Sequence, residues 1–164
     1  EDVLGENDIK DHNYEFLVSF GYRFVIKENI LKYFGENAFN LHISYLPWNK
    51  GADPNLWSLL EDTPKGVTIH QMDHTVDTGD ILYQKEVFFD CDDTLKTSYE
   101  KLQNQIVELF INNWTNIKNR KVNPMKQKGI GTYHKSSDKN DYLELLVNGW
   151  DTKISELKSR LKIK

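Results

Sequence analysis

Between residues 95 and 117 the apolar side chains Leu95, Tyr99, Leu102, Ile106, Leu109, Phe110, Trp114 and Ile117 recur at steps of three and four. That spacing predicts one amphipathic helix of about six turns. A helix with a single apolar stripe needs a surface to cover, and the chain before it supplies short apolar runs of strand length. Residues 16–20 form such a run, ended by Gly21, and residues 22–26 are expected to continue it. Residues 38–43, 66–72 and 81–89 read as further strands. Between them, residues 28–34 form a short amphipathic pattern stopped by Gly35, and residues 56–61 another. Residues 1–12 and 44–55 are expected as loops, the second because it holds Pro47, Gly51 and Pro54. Strands alternating with helices predict an α/β fold, a mostly parallel sheet with flanking helices.

Residues 1–120 are expected to form the core, and 121–164 a C-terminal basic extension with short helices at 138–147 and 152–161. Charge supports that division. Residues 1–114 hold 9 basic and 20 acidic side chains, a balance of −11, and residues 115–164 hold 12 and 5, a balance of +7. An acidic body disfavours a nucleic-acid partner, whose backbone is met by many Lys and Arg. The basic tail suits either phosphates or a solvated helix face. No run reaches the ~18 apolar residues of a membrane span, and no charged segment leads into a signal-like apolar stretch. The single cysteine, Cys91, forms no internal disulfide, which predicts a reducing, cytoplasmic setting. The long helix has apolar surface enough for a homodimer contact, although its own sheet would use it equally well.

In α/β sheets the chemistry gathers in loops beyond the carboxyl ends of strands. Asn40 and His42 stand two apart on one strand and so share a face. Asp77 lies in the turn after the strand at 66–72. Together they suit attack on a carbonyl. An imidazole takes a proton, an amide donates to a developing oxyanion, and a carboxylate steadies the imidazolium. No protein nucleophile is evident. Cys91 lies in Asp90-Cys-Asp-Asp93, a poor setting for a nucleophilic thiol, so direct transfer between two bound substrates is expected. His70, Asp73, His74 and Asp77 form the alternative metal set. His70 and His74 have a helical spacing on a strand-like segment, so no metal is expected.

The segment Asn40-Leu-His-Ile-Ser-Tyr-Leu-Pro47, then Gly51, then Val67-Thr-Ile-His-Gln-Met-Asp-His-Thr-Val-Asp-Thr-Gly-Asp-Ile81, resembles the 10-formyltetrahydrofolate-dependent formyltransferases. That family acts on glycinamide ribonucleotide, methionyl-tRNA and nucleotide-linked amino sugars. The likeness covers residues 16–84, and the later Gly131-Thr-Tyr-His134 and Gly149-Trp-Asp-Thr152 are similar to short sugar formyltransferases. The resemblance implies a Rossmann-like fold and a catalytic trio of Asn40, His42 and Asp77. It implies a folate site at Tyr22, Arg23, Phe24, Ile26, Asp73, His74, Thr75 and Val76. It also implies an acceptor side walled by Ser44, Tyr45, Leu46, Pro47 and Trp48. The donor would be 10-formyltetrahydrofolate, and the acceptor an amine, preferably on a nucleotide-linked sugar, attacking through a tetrahedral intermediate. A methionyl-tRNA enzyme, a formyltetrahydrofolate hydrolase and a non-catalytic folate-binding domain remain alternatives. Family members carry further strands before the one at 16–20. With Glu1 in place of Met, those first strands are expected to be absent here.

Overall fold

The computed structural model describes residues 3–10 and 12–162. Its main sheet has the strand order β1-β2-β4-β5, with β1 at Leu17–Phe20, β2 at Ala38–His42, β4 at Gly66–Gln71 and β5 at Ile81–Glu86. β1 and β2 are parallel, joined through α2 (Glu28–Phe34) as a crossover requires. β2–β4 and β4–β5 pair antiparallel, so the parallel character of this mixed α/β sheet rests on its first pair. The nine-residue link from β4 to β5 is too short for a helical crossover, and it returns the chain antiparallel.

Alternation along the strands separates two faces. Phe39, Leu41, Val67 and Ile69 point to one side and pack with Leu82, Val87 and the helix residues Leu102, Ile106 and Ile117. That helix, α4, spans Leu95–Lys118 and matches the predicted stripe. Its N-terminus is closed reciprocally. The Thr94 hydroxyl accepts from Thr97 N–H at 3.1 Å, and the Thr97 hydroxyl accepts from Thr94 N–H at 2.9 Å. Thr94→Ala removes half of this box and is expected to cost about 1 kcal/mol. At this chain length that lowers Tm by roughly 2–4 °C, read by thermal denaturation. An unchanged Tm would mean the box contributes nothing to α4.

Several local expectations differ from the structure. Residues 22–26 do not continue β1, because Gly21 adopts φ +64° and turns the chain out of the sheet. The N-terminal stretch contains a short helix, α1 (Asn7–Lys10), whose Ile9 is buried with Ile30 and Phe34. Helix α3 begins earlier than expected, at Pro54–Leu60, since proline fits the first helical turn. Within the expected loop, Lys50–Gly51 (β3) pairs in parallel with Tyr133–His134 (β6), a long-range contact with no local signal. Asp138–Leu145 is a 3₁₀ helix, and α5 occupies Ile154–Leu161. These C-terminal elements share a core with the body. Leu145, Ile154 and Leu157 are buried against Leu56, Leu59 and Leu95. Among the described residues, no helix is long and apolar enough to cross a membrane.

Candidate active site

The second face of the sheet is polar. The antiparallel register sets Asn40 opposite His70 and His42 opposite Thr68, so these four side chains share one surface. Asp77 enters from the β4–β5 loop and completes the cluster. The Asn40 amide donates to Asp77 Oδ1 at 3.0 Å, and His42 Nδ1 lies 3.6 Å from Asp77 Oδ2. Gly51 N–H donates to the same Oδ2 at 2.8 Å. His70 Nε2 lies 3.3 Å from both Asp77 Oδ1 and Asn40 Nδ2. Since His70 Nδ1 faces the Gln71 carbonyl at 2.7 Å, that nitrogen carries a proton, and Nε2 is the one turned to the cluster. His42 Nε2 donates to the Asn49 carbonyl at 3.1 Å. His42, His70 and Asp77 are 6%, 1% and 8% exposed.

Electrostatics follows from this burial. Loss of water pushes the His42 imidazole below its ordinary 6.5, with His70 adding in the same direction, while Asp77 and the Asn49 carbonyl oppose the shift. Burial alone would raise Asp77. The attraction of His42, the His70 contacts and the Gly51 N–H outweigh it and hold the carboxyl well below the usual carboxylate range. The cluster therefore presents a neutral imidazole beside an ionised carboxylate at neutral pH, an arrangement ready to receive a proton.

A stability trend follows. His42 has a lower pKa folded than unfolded, so the unfolded chain binds the extra proton first as pH drops. Its contribution is complete above about 6.5 and is lost as pH falls through the lower folded value, by at most about 1.4 kcal/mol per pH unit for one proton. Asp77 acts with the same sign below 3.8. Urea midpoints should decline from pH 6.5 downward, and His42→Gln should flatten that decline. Parallel slopes in both proteins would contradict it.

The structure brings the trio Asn40, His42 and Asp77 together, as their spacing predicts. It adds His70, placed at the sequence level only in a metal set, and the loop residues Asn49 and Gly51. His70 had a readable signal, the alternation of Val67 and Ile69 with Thr68 and His70. Gly51 stood among the residues that carry the family resemblance, and Asn49 had no signal. Among the described residues, no group of three or more His, Cys, Asp or Glu is arranged for a metal.

The loop positions expected to hold folate are surface residues. Arg23, Phe24, Asp73, His74, Thr75 and Val76 are exposed, and Tyr22 and Ile26 half-buried. Asp73 shapes its loop by accepting from Thr75 N–H at 2.9 Å and the Thr78 hydroxyl at 2.8 Å. Tyr22 packs edge-on against Phe24, and its hydroxyl accepts from Leu4 N–H at 2.8 Å. On the expected acceptor side, Ser44 and Leu46 are only 2% exposed and are tied inward. The Ser44 hydroxyl donates to Trp48 O at 2.5 Å, and Leu46 O accepts from Gln84 at 2.8 Å. Both brace the loop and present little side-chain surface to solvent. Trp48 is exposed, and Tyr45 and Pro47 are half-buried. A separate apolar cavity of about 300 Å³, lined by Ile43, Leu56, Leu95, Tyr99, Leu143 and Trp150 among others, contains none of the trio. The polar cluster has the groups that can do chemistry.

The sequence model of the family described as Formyl transferase matches residues 5–113, which include Asn40, His42, His70 and Asp77. The chain belongs to the formyltransferase family. Among solved structures it is similar to the formyltransferase PseJ from Anoxybacillus kamchatkensis. Identity is 50% over 95% of this chain and 82% of that one, with a TM-score of 0.91. That protein was solved in complex with UDP-4,6-dideoxy-4-formamido-L-AltNAc and tetrahydrofolate. An N-formyltransferase from Helicobacter canadensis, bound to folinic acid and dTDP-3-aminofucose, is 26% identical over 83% of this chain and 51% of its own, with a TM-score of 0.74. Methionyl-tRNA formyltransferase from Thermodesulfovibrio yellowstonii is 34% identical over 81% of this chain and 44% of its own length. The chain thus spans about half the length of the curated formyltransferase relatives it matches first, 44% and 48% of the two.

Proposed function

We propose that this formyltransferase moves a formyl group from 10-formyltetrahydrofolate to the amine of a nucleotide-linked amino sugar. The observation that carries the reading is the Asn40–His42–Asp77 cluster in a chain 50% identical, over nearly its whole length, to a formyltransferase solved with tetrahydrofolate and a formamido sugar nucleotide. The donor supplies an activated formyl carbonyl, and no covalent step on the protein is needed.

In this reading the neutral His42 takes the proton that the attacking amine releases. As the tetrahedral intermediate collapses and the formyl carbon–N10 bond breaks, that proton passes with the help of Asp77 to N10, so that tetrahydrofolate leaves with an N10–H. Asp77, ionised and 3.6 Å from the ring, stabilises the imidazolium that forms. Asn40 turns an amide N–H toward the oxygen that becomes negative. The exposed side chains at 22–26 and 73–76 suit a flat bicyclic ring at the cleft edge, with Phe24 as an apolar contact. Trp48, Tyr45 and Pro47 provide the acceptor side, while Ser44 and Leu46 hold that loop's shape.

The test incubates the protein with labelled 10-formyltetrahydrofolate and a panel of nucleotide-linked 4-amino and 3-amino sugars, with methionyl-tRNA as a separate arm, read by mass spectrometry. The expected result is a formyl group on a sugar amine, abolished by His42→Gln. Label on the tRNA, or formate released without an amine, would replace this reading.

A further inference from the structure

Beyond α4 the chain turns back over the polar cluster. Residues 122–134 cross it as a strap, fastened at one end to the β4–β5 loop and at the other to the loop that follows β2. At the first end, Ile81 and Met125 each donate a backbone N–H to the other's carbonyl at 2.8 Å, and Lys126 pairs with Asp80 at 3.0 Å. At the second end, Thr132 O accepts from Lys50 N–H at 3.0 Å, and the Thr132 hydroxyl accepts from Asn49 N–H at 2.9 Å. Between them Gln127 spreads one amide nitrogen over two carbonyls, Asp77 O at 2.8 Å and Gly79 O at 2.9 Å.

Asp77 has φ +56°, a left-handed conformation unfavourable for a residue with a Cβ. Something must impose it. The turn it opens is crowded from behind, since a Cβ on Gly79 would lie 1.9 Å from Gln71 O. Thr78 ties the turn locally to Asp73 and Thr75, and from the strap the Gln127 amide spans it, reaching the carbonyls of both Asp77 and Gly79. Both of its hydrogens are used, so the separation and direction of the two carbonyls are set together. With that backbone held, the Asp77 carboxylate reaches Gly51 N–H, His42, His70 and Asn40 at once.

We propose that Gln127 is a positioning residue, whose two-pronged amide fixes the left-handed turn that aims Asp77 at His42. The strap lies beyond residues 5–113, the span matched by the family's sequence model. The kinetic consequence of this role rests on the formyl-transfer reading, but its geometric consequence does not.

The test exploits that difference. The charged and titratable groups facing His42 are Asp77 and His70, with the Asn49 carbonyl on its Nε2. Of these only Asp77 is tied to Gln127. Gln127→Met keeps the length and loses both donors. In substrate-free NMR titration the His42 midpoint is expected to fall by at least about 0.5 pH unit in this variant, because a displaced carboxylate no longer supports the imidazolium. Lys126→Gln, which frees the strap from Asp80 without touching the amide, should leave the midpoint in place. In the transfer assay, Gln127→Met should lower kcat about tenfold with KM for the formyl donor within about twofold. Should Gln127→Met not fold, Gln127→Asn, one methylene short, carries the same comparison. A His42 midpoint unchanged in the Gln127 variant, or shifted equally by Lys126→Gln, overturns the proposal. If the wild type transfers no formyl group, the NMR result still decides it.

Discussion

Asp77→Asn is expected to lower formyl transfer about a thousandfold while the chain remains folded. The carboxylate has two tasks. In the proposed mechanism its charge supports the imidazolium that His42 becomes when the amine's proton arrives, and in the structure its two oxygens accept from Gly51 N–H and the Asn40 amide. An asparagine loses the charge outright. It also keeps only one acceptor oxygen, so either orientation sets its NH₂ against a donor, Gly51 N–H or Asn40 Nδ2. That mismatch should cost about 1–3 kcal/mol of stability, far less than the loss of catalysis would suggest. Steady-state turnover with the acceptor that accepts label, together with a thermal melt, separates the two effects. Turnover within tenfold of wild type would remove Asp77 from the chemistry.

The second large effect concerns backbone packing. Gly131 has φ +65°, and a Cβ there would lie 1.9 Å from Pro47 O and 2.5 Å from its carbonyl carbon. Neither atom can swing aside as a flexible side chain would. Gly131→Ala should therefore displace the strap or the loop after β2, at about 3 kcal/mol or more. Gly129→Ala is the matched control. Its φ is +89°, but nothing lies within 4 Å of the added carbon, so only the conformational cost of about 1 kcal/mol remains. Urea midpoints of the two variants isolate the close approach. Equal losses would show that the contact between Gly131 and Pro47 carries no stability.

How far the site was legible depended on whether a residue's partner is near in sequence. Asn40 and His42 could be paired because a strand repeats every two residues, and α4 could be drawn because a helix repeats every 3.6. Asp77 was findable as a carboxylate in a turn. His70 obeys the same period-two logic on β4, but joining it to Asn40 requires the antiparallel register, which sequence alone does not specify. Gln127 and Thr132 act across 50 and 83 residues of chain, and such contacts leave no periodic mark. Residues 22–26 read as strand from their apolar content, yet the positive φ of Gly21 decides their path. Ser44 and Leu46 matched the acceptor-side motif, and only burial distinguishes them from their exposed neighbour Trp48.

The strap is an open part of the cluster's surroundings, and that gives it a vulnerability the sheet lacks. Met125, Lys126, Lys128 and Ile130 are exposed, with Ile130 94% so. Trypsin under native conditions should cut after Lys126 or Lys128 before it reaches any lysine of α4. The severed ends would keep the sheet and its helix, because Leu102, Ile106 and Ile117 bury elsewhere. The turn carrying Asp77 would lose its tether to the loop carrying Asn49. A nicked chain would then retain its circular dichroism and, on the proposed mechanism, lose its turnover, making a single peptide bond on the surface the weakest point of the polar cluster.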